Sequence, residues 1–405
     1  MRAEEPDLDI LFVGGGFRTT SFLASAPWLL GTRLGIVERR PSLGGGDYHD
    51  YGILSTSVGA RFLKDVDLAG DWPELWRSPV VREVATAEGP VDLRELAAAL
   101  DRIGQAVTSA LPDGAVLSGR HASEVEIGGS HPSVSLTSGE TLRARHVVLA
   151  TGRREPPHPA LAPWPDTTLL SGRVLDPRTR PRILELVRAR PGAPIVVAGS
   201  SHSAMSALRV LLDMRAADPR TFAGHRIEVL ERSPARLFYG SLEEARRSQV
   251  PEREILATPE AVCGVTGAVF RDTGLRHESK LLYTRLWDGA VPDVQLVRDT
   301  DVEHEADRLG EAALIVQALG YVGRAPVLTM RGQGVLRAAD SRRRVDADVR
   351  GRLLVEGRRR DDVTALRLDP TPPGHRDNAQ YGQDLYAHLS DRLRGLLDPA
   401  RAGTS

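Results

Sequence analysis

The chain of 405 residues contains a single cysteine, Cys263, and only two lysines, Lys64 and Lys280. One cysteine excludes an intrachain disulfide, a CxxC redox pair and a paired-cysteine zinc site, and it favours a reducing compartment. The sequence also lacks an excess of charge of one sign, because 53 basic residues oppose 54 acidic ones. We therefore expect no nucleic-acid partner.

Long apolar runs are also missing. No segment approaches the roughly 18 apolar residues of a membrane-spanning helix, and the acidic N-terminal segment has no apolar core of a signal peptide. Hydrophobic residues make up 41% and charged residues 26% of the chain, as in soluble globular proteins. We expect a cytoplasmic protein of two to three domains, without a membrane partner and without a bound metal.

A strand, a glycine turn and a helix follow the N-terminus. The apolar run from Ile10 to Val13 enters Gly14, Gly15 and Gly16, after which apolar residues recur at helical spacing. A second apolar run ends in Glu38, 24 residues after Gly14. Such glycines let a backbone approach a pyrophosphate at a helix N-terminus, and an acid at this distance binds adenosine ribose hydroxyls. The pattern predicts a βαβ dinucleotide site.

A second unit of the same kind begins about 185 residues later. Its strand leads into Gly199, but Ser200 and Ser201 stand where a second glycine is usual, so nicotinamide binding could be weak or lost. His202 could reach a pyrophosphate or cap its own helix. The partner strand ends in Glu231, which suits the ribose hydroxyls of NADH, whereas the following arginines, Arg232 and Arg236, could hold the 2′-phosphate of NADPH.

Other local patterns predict the surrounding elements. Asp92 and Glu95 have capping-box spacing at the start of a helix that reaches Leu111. Alternation between Ala115 and Thr141 predicts an antiparallel meander, and apolar spacing predicts a helix from Tyr381 to Leu397.

Four segments together resemble one family: GGGFRT at 14–19, HVVLATG at 146–152, VVAGSSHSA at 196–204 and IVQALGY at 315–321. They are similar to two-dinucleotide-binding-domain flavoproteins, in particular class B flavin monooxygenases and their ornithine and lysine N-hydroxylases. The resemblance implies an α/β fold with two Rossmann-like domains, in which the C-terminal segment completes the FAD domain. The implied domains are 1–157 for FAD, 158–325 for the nicotinamide cofactor with a helical insertion at about 243–289, and 326–405 for the rest of the FAD domain.

The resemblance also implies the cofactors FAD and NADPH, with NADH as the alternative. By this analogy, residues 41–57 run from the adenine end of FAD to its flavin ring. Arg39 is as well explained by a solvated surface as by an adenine contact. The expected FAD contacts are Gly14, Gly16, Phe17, Arg18, Thr19, Glu38, Arg39, Gly45, Gly46, Tyr51, Ser55, Gly152, Thr371 and Pro372. The expected nicotinamide contacts are Gly199, Ser200, Ser201, His202 and Arg232.

The expected catalytic residues are Lys64, Tyr48 and His49. The segment Phe62 to Asp65 looks like the FLKD segment of amine N-hydroxylases, whose lysine contacts the substrate carboxylate, although a lysine on a solvated helix face is the alternative. The sequence departs from the family in two places. The FxGxxxHxxxW fingerprint has no counterpart near Gly172, and the GD dipeptide is missing before the terminal helix.

A lone cysteine closes the electron route of flavin disulfide reductases, so electrons must pass from the flavin to an external acceptor. We expect an NAD(P)H-dependent monooxygenase that uses dioxygen to hydroxylate a small molecule, an amine or amino acid derivative of specialised metabolism. Two alternatives stay open. One is a flavin-dependent dehydrogenase or reductase, and the other is a non-redox flavoprotein cyclase with a degenerate nicotinamide site. The sequence predicts no oligomeric state.

Overall fold

The structure is a computed structural model, which describes residues 5–248, 261–263, 266–271, 273–339, 341, 345–368 and 378–398. The chain forms two compact units. The first comprises Met1–His49, Val58–Arg154 and Val322–Ser405, and the second comprises Asp50–Ser57 and Glu155–Tyr321. Segments of the first unit therefore both precede and follow Glu155–Tyr321 in the sequence. No helix in the described ranges is long and apolar enough to cross a membrane.

The strands are β1 Leu8–Val13, β2 Leu34–Glu38, β3 Leu54–Val58, β4 Pro90–Asp92, β5 Val116–Ser118, β6 Ala122–Ile127, β7 Ser133–Leu136, β8 Thr141–Leu149, β9 Arg153–Arg154, β10 Thr168–Leu170, β11 Ile195–Ala198, β12 Ile227–Glu231, β13 Val294–Arg298, β14 Leu314–Gln317, β15 Val322–Gly323, β16 Val327–Met330, β17 Gly334–Arg337, β18 Arg352–Val355 and β19 Arg358–Ala365. The helices are α1 Phe17–Ser25, α2 Ala60–Leu63, α3 Pro79–Thr86, α4 Leu93–Ala110, α5 Ser171–Val174, α6 Arg180–Ala189, α7 His202–Ala217, α8 Leu242–Arg247, α9 His277–Trp287, α10 Ala306–Glu311 and α11 Asn378–Leu397.

The first unit is built on a sheet in which β1 lies between two parallel neighbours, β2 and β8. The side chains of Ile10, Leu11 and Phe12 are fully buried, because both faces of this part of the sheet are covered. Apolar runs of this kind are typical of buried parallel strands. The C-terminal segment contributes β16, parallel to β6, and β19, parallel to β8. The carboxyl ends of β1, β2 and β8 consequently meet at one edge.

Three local predictions need correction. Residues Val116–Ser118 form β5, which pairs in parallel with β2, so the antiparallel meander contains only β6, β7 and β8. The N-cap Asp92 accepts from the backbone N–H of Arg94 at 2.7 Å, one position short of the predicted capping-box contact. The terminal helix begins at Asn378, earlier than its apolar spacing indicated. The first difference arises because the partner of β5, the strand β2, lies about 80 residues earlier in the chain.

The second unit holds a five-stranded parallel sheet in the order β10, β14, β11, β12, β13. From β11 the chain proceeds through α7 to β12 on one side, while β14 lies on the other side of β11. This reversal of strand order makes a crevice at the carboxyl ends of β11 and β14, where open α/β sheets bind their ligands. Of the predicted insertion at about 243–289, the described residues contain α8, whose first residue is Leu242, and α9.

A buried histidine joins strands β8 and β19 of the first unit. His146 Nε2 lies 2.9 Å from Thr364 Oγ1, and Thr364 Oγ1 in turn accepts from the guanidinium of Arg392 at 2.6 Å. Burial, with the nearby Arg392 cation, lowers the pKa of His146 to about 3. The imidazole is therefore neutral in the folded protein at neutral pH, and Nε2 can accept the Thr364 hydroxyl proton.

This depressed pKa predicts acid sensitivity. Because the unfolded His146 titrates near 6.5, its contribution is fully present above that pH and declines by about 1.4 kcal/mol per pH unit as the pH falls toward 3. Between pH 6.5 and 4.5, the wild type should lose about 2–3 kcal/mol more unfolding free energy than His146→Gln. Urea unfolding at both pH values measures the difference. Parallel pH slopes for the two proteins would contradict the assignment.

Candidate functional site

The first glycine loop lies where β1, β2 and β8 end. Gly14 has a φ of +103°, and a Cβ there would come within 2.5 Å of the Ala150 carbonyl oxygen, so only glycine fits. Its N–H donates to the Val37 carbonyl at 2.8 Å. The Thr19 hydroxyl donates back to the Gly14 carbonyl at 2.5 Å. The loop is thereby fixed to both neighbouring strands before any ligand arrives.

Glu38 is brought to the same loop. Its carboxylate is 8% exposed and accepts two backbone N–H groups, from Gly15 to Oε2 at 2.6 Å and from Arg40 to Oε1 at 2.8 Å. Gly15 was not among the predicted contacts. The sequence signal for Gly15 is its place between two predicted glycines of the same loop. A Cβ at Gly15 would meet the side chains of Leu43 and Glu38, so a larger residue would require Leu43 to move.

Space for an anion opens at the start of α1. Gly16 is the N-cap residue, and a Cβ placed there would meet no protein atom within 4 Å. The first turn of α1 carries no acidic residue, and the Arg18 guanidinium lies 4.5 Å from the centre of the Phe17 ring. A helix N-terminus with free space and a nearby cation fits a pyrophosphate. These residues therefore fit the FAD that the sequence predicts.

An ion cluster follows β2. Asp47 lies 2.5 Å from a guanidinium nitrogen of Arg39, 2.9 Å from one of Arg40 and 3.4 Å from one of Arg324. Burial alone would raise the pKa of Asp47, but the three guanidinium groups hold it below its usual value. Arg39 is thus engaged with Asp47, and this cluster ties the end of β2 to the segment after β15. Gly152, at the turn after β8, accepts the Arg324 N–H at 2.8 Å.

His49 belongs to the loop that follows. Its Nε2 lies 2.8 Å from Asp101 Oδ2 on α4, and the other oxygen of Asp101 accepts the Gly45 N–H at 2.8 Å. One carboxylate on α4 therefore fastens both ends of a short segment that includes Gly46. Asp101 was missed by the sequence analysis because nothing in its own neighbourhood distinguishes it from other acids on an amphipathic helix.

Aromatic contacts link Tyr48 to the start of α1, and Lys64 follows the helix α2. The Tyr48 ring packs edge-on against Phe62 at 6.4 Å, and Phe62 packs against Phe17 at 5.8 Å. Burial raises the pKa of the Tyr48 phenol, against the nearby Arg18 and Arg367 cations. Lys64 follows α2, is exposed, and lies 3.4 Å from Asp65. The aromatic contacts thus connect the α2 segment to the glycine loop.

Tyr51 and Ser55 belong to the second unit, where the Ser55 hydroxyl donates to the Ser57 carbonyl at 2.6 Å. Thr371 and Pro372 lie outside the described residues.

The second glycine loop repeats the backbone design of the first. Gly199 has a φ of +113°, a Cβ there would lie 2.5 Å from the Ala318 carbonyl oxygen, and its N–H donates to Leu230 at 3.0 Å. The serines at 200 and 201 therefore leave the close approach intact. Ser201 is the N-cap residue of α7, although its side chain makes no capping hydrogen bond.

One ring nitrogen of His202 is engaged with the protein and the other has no partner among the described residues. Its Nε2 lies 3.1 Å from the Gly274 carbonyl, so this nitrogen carries the proton and donates. Burial lowers its pKa, and Nδ1 is a buried acceptor with no hydrogen-bond partner among the described residues.

Glu231, at the end of β12, is engaged with protein donors. Oε1 accepts the Tyr283 hydroxyl at 2.6 Å and the Ala235 N–H at 3.2 Å. Burial raises the pKa of Glu231, partly offset by these donors. The adjacent Arg232 is exposed. Glu231 Oε2, however, is buried and has no hydrogen-bond partner among the described residues, so Glu231 and Arg232 both stay candidates for the adenosine ribose.

Comparisons with known proteins agree with this geometry. No protein-family model matches the chain. The chain is 33% identical over 328 residues to the CMP-5′-(3-aminopropyl)phosphonate hydroxylase of Streptomyces rubellomurinus, a match that covers 72% of this chain and 71% of the relative. The chain belongs to this hydroxylase family. Membership of this family confirms the hydroxylating enzyme that the sequence predicts. Solved structures of the same fold hold FAD and NADP, the cofactors that the sequence predicts.

Solved structures share the fold of this monooxygenase. The FAD-bound cadaverine monooxygenase of Erwinia amylovora matches with a TM-score of 0.59 at 15% identity, over 96% of this chain and 95% of that one. The ornithine N-hydroxylase of Kutzneria sp. 744 matches with a TM-score of 0.58 at 17% identity, over 99% and 100%. The predicted α/β fold with two dinucleotide-binding domains is thereby confirmed.

The free space at Gly16 generates a prediction for the monooxygenase. Gly16→Ala adds a methyl group that meets no protein atom, so the melting temperature of the apoprotein should stay unchanged, while FAD binding should weaken about tenfold or more because the methyl occupies the expected pyrophosphate space. In Gly14→Ala the added Cβ meets the Ala150 carbonyl, so both the melting temperature and the FAD affinity should fall. Flavin fluorescence titration and thermal unfolding measure the two effects. A Gly16→Ala protein with wild-type FAD affinity would place the pyrophosphate elsewhere.

Proposed function

We propose that this monooxygenase hydroxylates the primary amine of an anionic substrate, an aminoalkyl phosphonate joined to a nucleotide. The observation that carries the proposal is the 33% identity, over 72% of the chain, to a hydroxylase whose name gives a substrate of this class. The solved relatives act on cadaverine, ornithine and lysine, so a primary amine is common to them. The nucleotide and phosphonate parts of the proposed substrate rest on the hydroxylase of Streptomyces rubellomurinus.

We assign the two glycine loops to the two cofactors. The proposed FAD domain comprises 1–157 and 326–405, with contacts at Gly14, Gly16 and Glu38, and the proposed nicotinamide domain comprises 158–325. Bound FAD supplies the oxygen-activating chemistry. Exposed Arg232 favours the 2′-phosphate of NADPH. The single cysteine supports a cytoplasmic enzyme.

The protein's own side chains have simpler tasks in this proposal. The half-buried rings of Tyr48 and its neighbour Phe62 exclude water at the start of α1. The His49 and Asp101 pair holds the loop that precedes them. Lys64 offers an ammonium group to the negative charge of the substrate, which orients the amine at the other end of the molecule.

The proposal is tested with the FAD-loaded enzyme, NADPH and dioxygen. CMP-5′-(3-aminopropyl)phosphonate should speed NADPH oxidation and yield a product that has gained one oxygen atom on nitrogen. Free ornithine, which lacks the nucleotide, is the comparison substrate and should be turned over poorly. Bleaching of the flavin by the amine without NADPH would instead indicate a dehydrogenase. A flavin that is bleached neither by NADPH nor by the amine would indicate a non-redox role. A product only from ornithine would refute the nucleotide part.

Lys64 gives a sharper test of substrate binding. A charge-assisted hydrogen bond contributes roughly 1.5–3 kcal/mol, so Lys64→Ala should raise the apparent substrate constant about 10- to 150-fold with normal FAD content. Lys64→Arg should restore little of this loss, because a planar guanidinium needs a different geometry. Arg61→Ala removes an exposed cation from the neighbouring helix and serves as the matched control. Equal constants for Lys64→Ala and Arg61→Ala would remove Lys64 from the substrate site.

A further inference from the structure

A buried carboxyl group that none of the predicted contacts includes lies at the carboxyl edge of the second unit's sheet. Glu155 is 7% exposed, and its Oε2 accepts the hydroxyl of Ser171 at 2.7 Å. Ser171 directly follows β10, and the side chain of Gln317, the last residue of β14, lies close enough to affect the titration of Glu155. Glu155 therefore lies at the ends of β10 and β14.

The second oxygen of this carboxyl group lacks a partner. Oε1 is buried and accepts no hydrogen bond from the part of the chain that the structure describes. Burial raises the pKa of Glu155 to about 7, although the hydroxyl and N–H of Ser171, the N–H of Gly172 and the Gln317 amide each oppose the rise. An unsatisfied buried oxygen is costly, and a ligand with an N–H group would satisfy it.

Two phenol hydroxyls lie beside Ser171 and Gly172, which donate to Glu155. The Tyr321 hydroxyl lies 3.3 Å from Ser171 Oγ. A Cβ atom added to Gly172 would lie 3.4 Å from the Tyr321 hydroxyl and 3.4 Å from the Tyr51 hydroxyl.

Three further titratable side chains lie on the elements beside Glu155. The guanidinium of Arg154 donates to the backbone carbonyls of Ala339 and Ser341, and Arg173 is exposed. The ring of His158 accepts the Ala160 N–H at 3.3 Å. None of these hydrogen bonds goes to Glu155.

The topology identifies the part of the coenzyme that would reach this oxygen. A dinucleotide lies across the crevice with its pyrophosphate at the N-terminus of α7, beside Gly199. Its adenosine half lies toward β12, which ends beside Arg232, so its nicotinamide half lies toward β14 and β10. The carboxamide of nicotinamide carries two N–H donors.

We propose that Glu155 accepts a hydrogen bond at Oε1 from the carboxamide of the nicotinamide ring and so positions the reducing end of NADPH. The proposal rests on the assignment of the second glycine loop to the nicotinamide cofactor. An ionised carboxylate accepts this hydrogen bond better than a neutral carboxyl group, so coenzyme binding should release a proton and should weaken as the pH falls from 8 to 6.

Binding of two ligands to the FAD-loaded enzyme tests the proposal without turnover. NADP⁺ has the nicotinamide ring, and 2′,5′-ADP has the same adenosine half without it. Glu155→Ala should raise the dissociation constant of NADP⁺ about tenfold or more and leave that of 2′,5′-ADP within about twofold. Glu155→Gln keeps an acceptor oxygen, so it should retain most NADP⁺ affinity at pH 8 while losing the extra pH dependence that NADP⁺ shows over 2′,5′-ADP.

Gly199→Ala is the positive control, because it should weaken both ligands. The inference on Glu155 is overturned if Glu155→Ala weakens both ligands equally, if it weakens neither, or if Glu155→Gln keeps the wild-type pH dependence. A wild-type enzyme that binds neither ligand, or a Gly199→Ala enzyme that binds both normally, would refute the nicotinamide assignment itself and the inference with it. A Glu155→Ala enzyme that loses affinity for 2′,5′-ADP alone would also overturn the inference on Glu155.

Discussion

The close approach of one glycine backbone to a neighbouring strand is the constraint on which both units depend. Gly14 and Gly199 each lie so near a carbonyl oxygen, that of Ala150 or Ala318, that a Cβ would stand 2.5 Å from it. Each also donates its N–H to the strand on the other side. The carboxyl ends of three parallel strands are thereby held together, and the helix that follows begins in a fixed direction.

The two units differ in how they use the acid at the end of the second strand. Glu38 binds the N–H of Gly15 within the first loop, whereas Glu231 accepts the Tyr283 hydroxyl. The first acid rigidifies its loop, while the second packs α9 against the sheet. The same backbone motif therefore holds an acid in both units, and the second acid in addition connects the sheet to α9.

Local patterns predicted those parts of the protein that depend on neighbours in sequence. The strands and helices around Gly14 and Gly199 follow from apolar spacing and from the conformational demands of glycine. Partnerships across long distances in sequence could not be predicted in this way. Asp101 and Glu155 look ordinary in their own segments, and only the fold brings Asp101 to His49 and Glu155 to Ser171. The parallel pairing of β5 with β2 was missed for the same reason.

The late position of β19 in the chain has a consequence for protein synthesis. β19 pairs in parallel with β8 through Val363, Thr364 and Ala365, but more than 200 residues separate the two strands. Until β19 emerges from the ribosome, the apolar segment from Val147 to Leu149 presents an unpaired backbone edge. Unpaired apolar edges recruit other strands and promote aggregation. A chain whose synthesis stops within the second unit would therefore keep an exposed, aggregation-prone strand edge in its first sheet. Complete translation is needed to cover that edge.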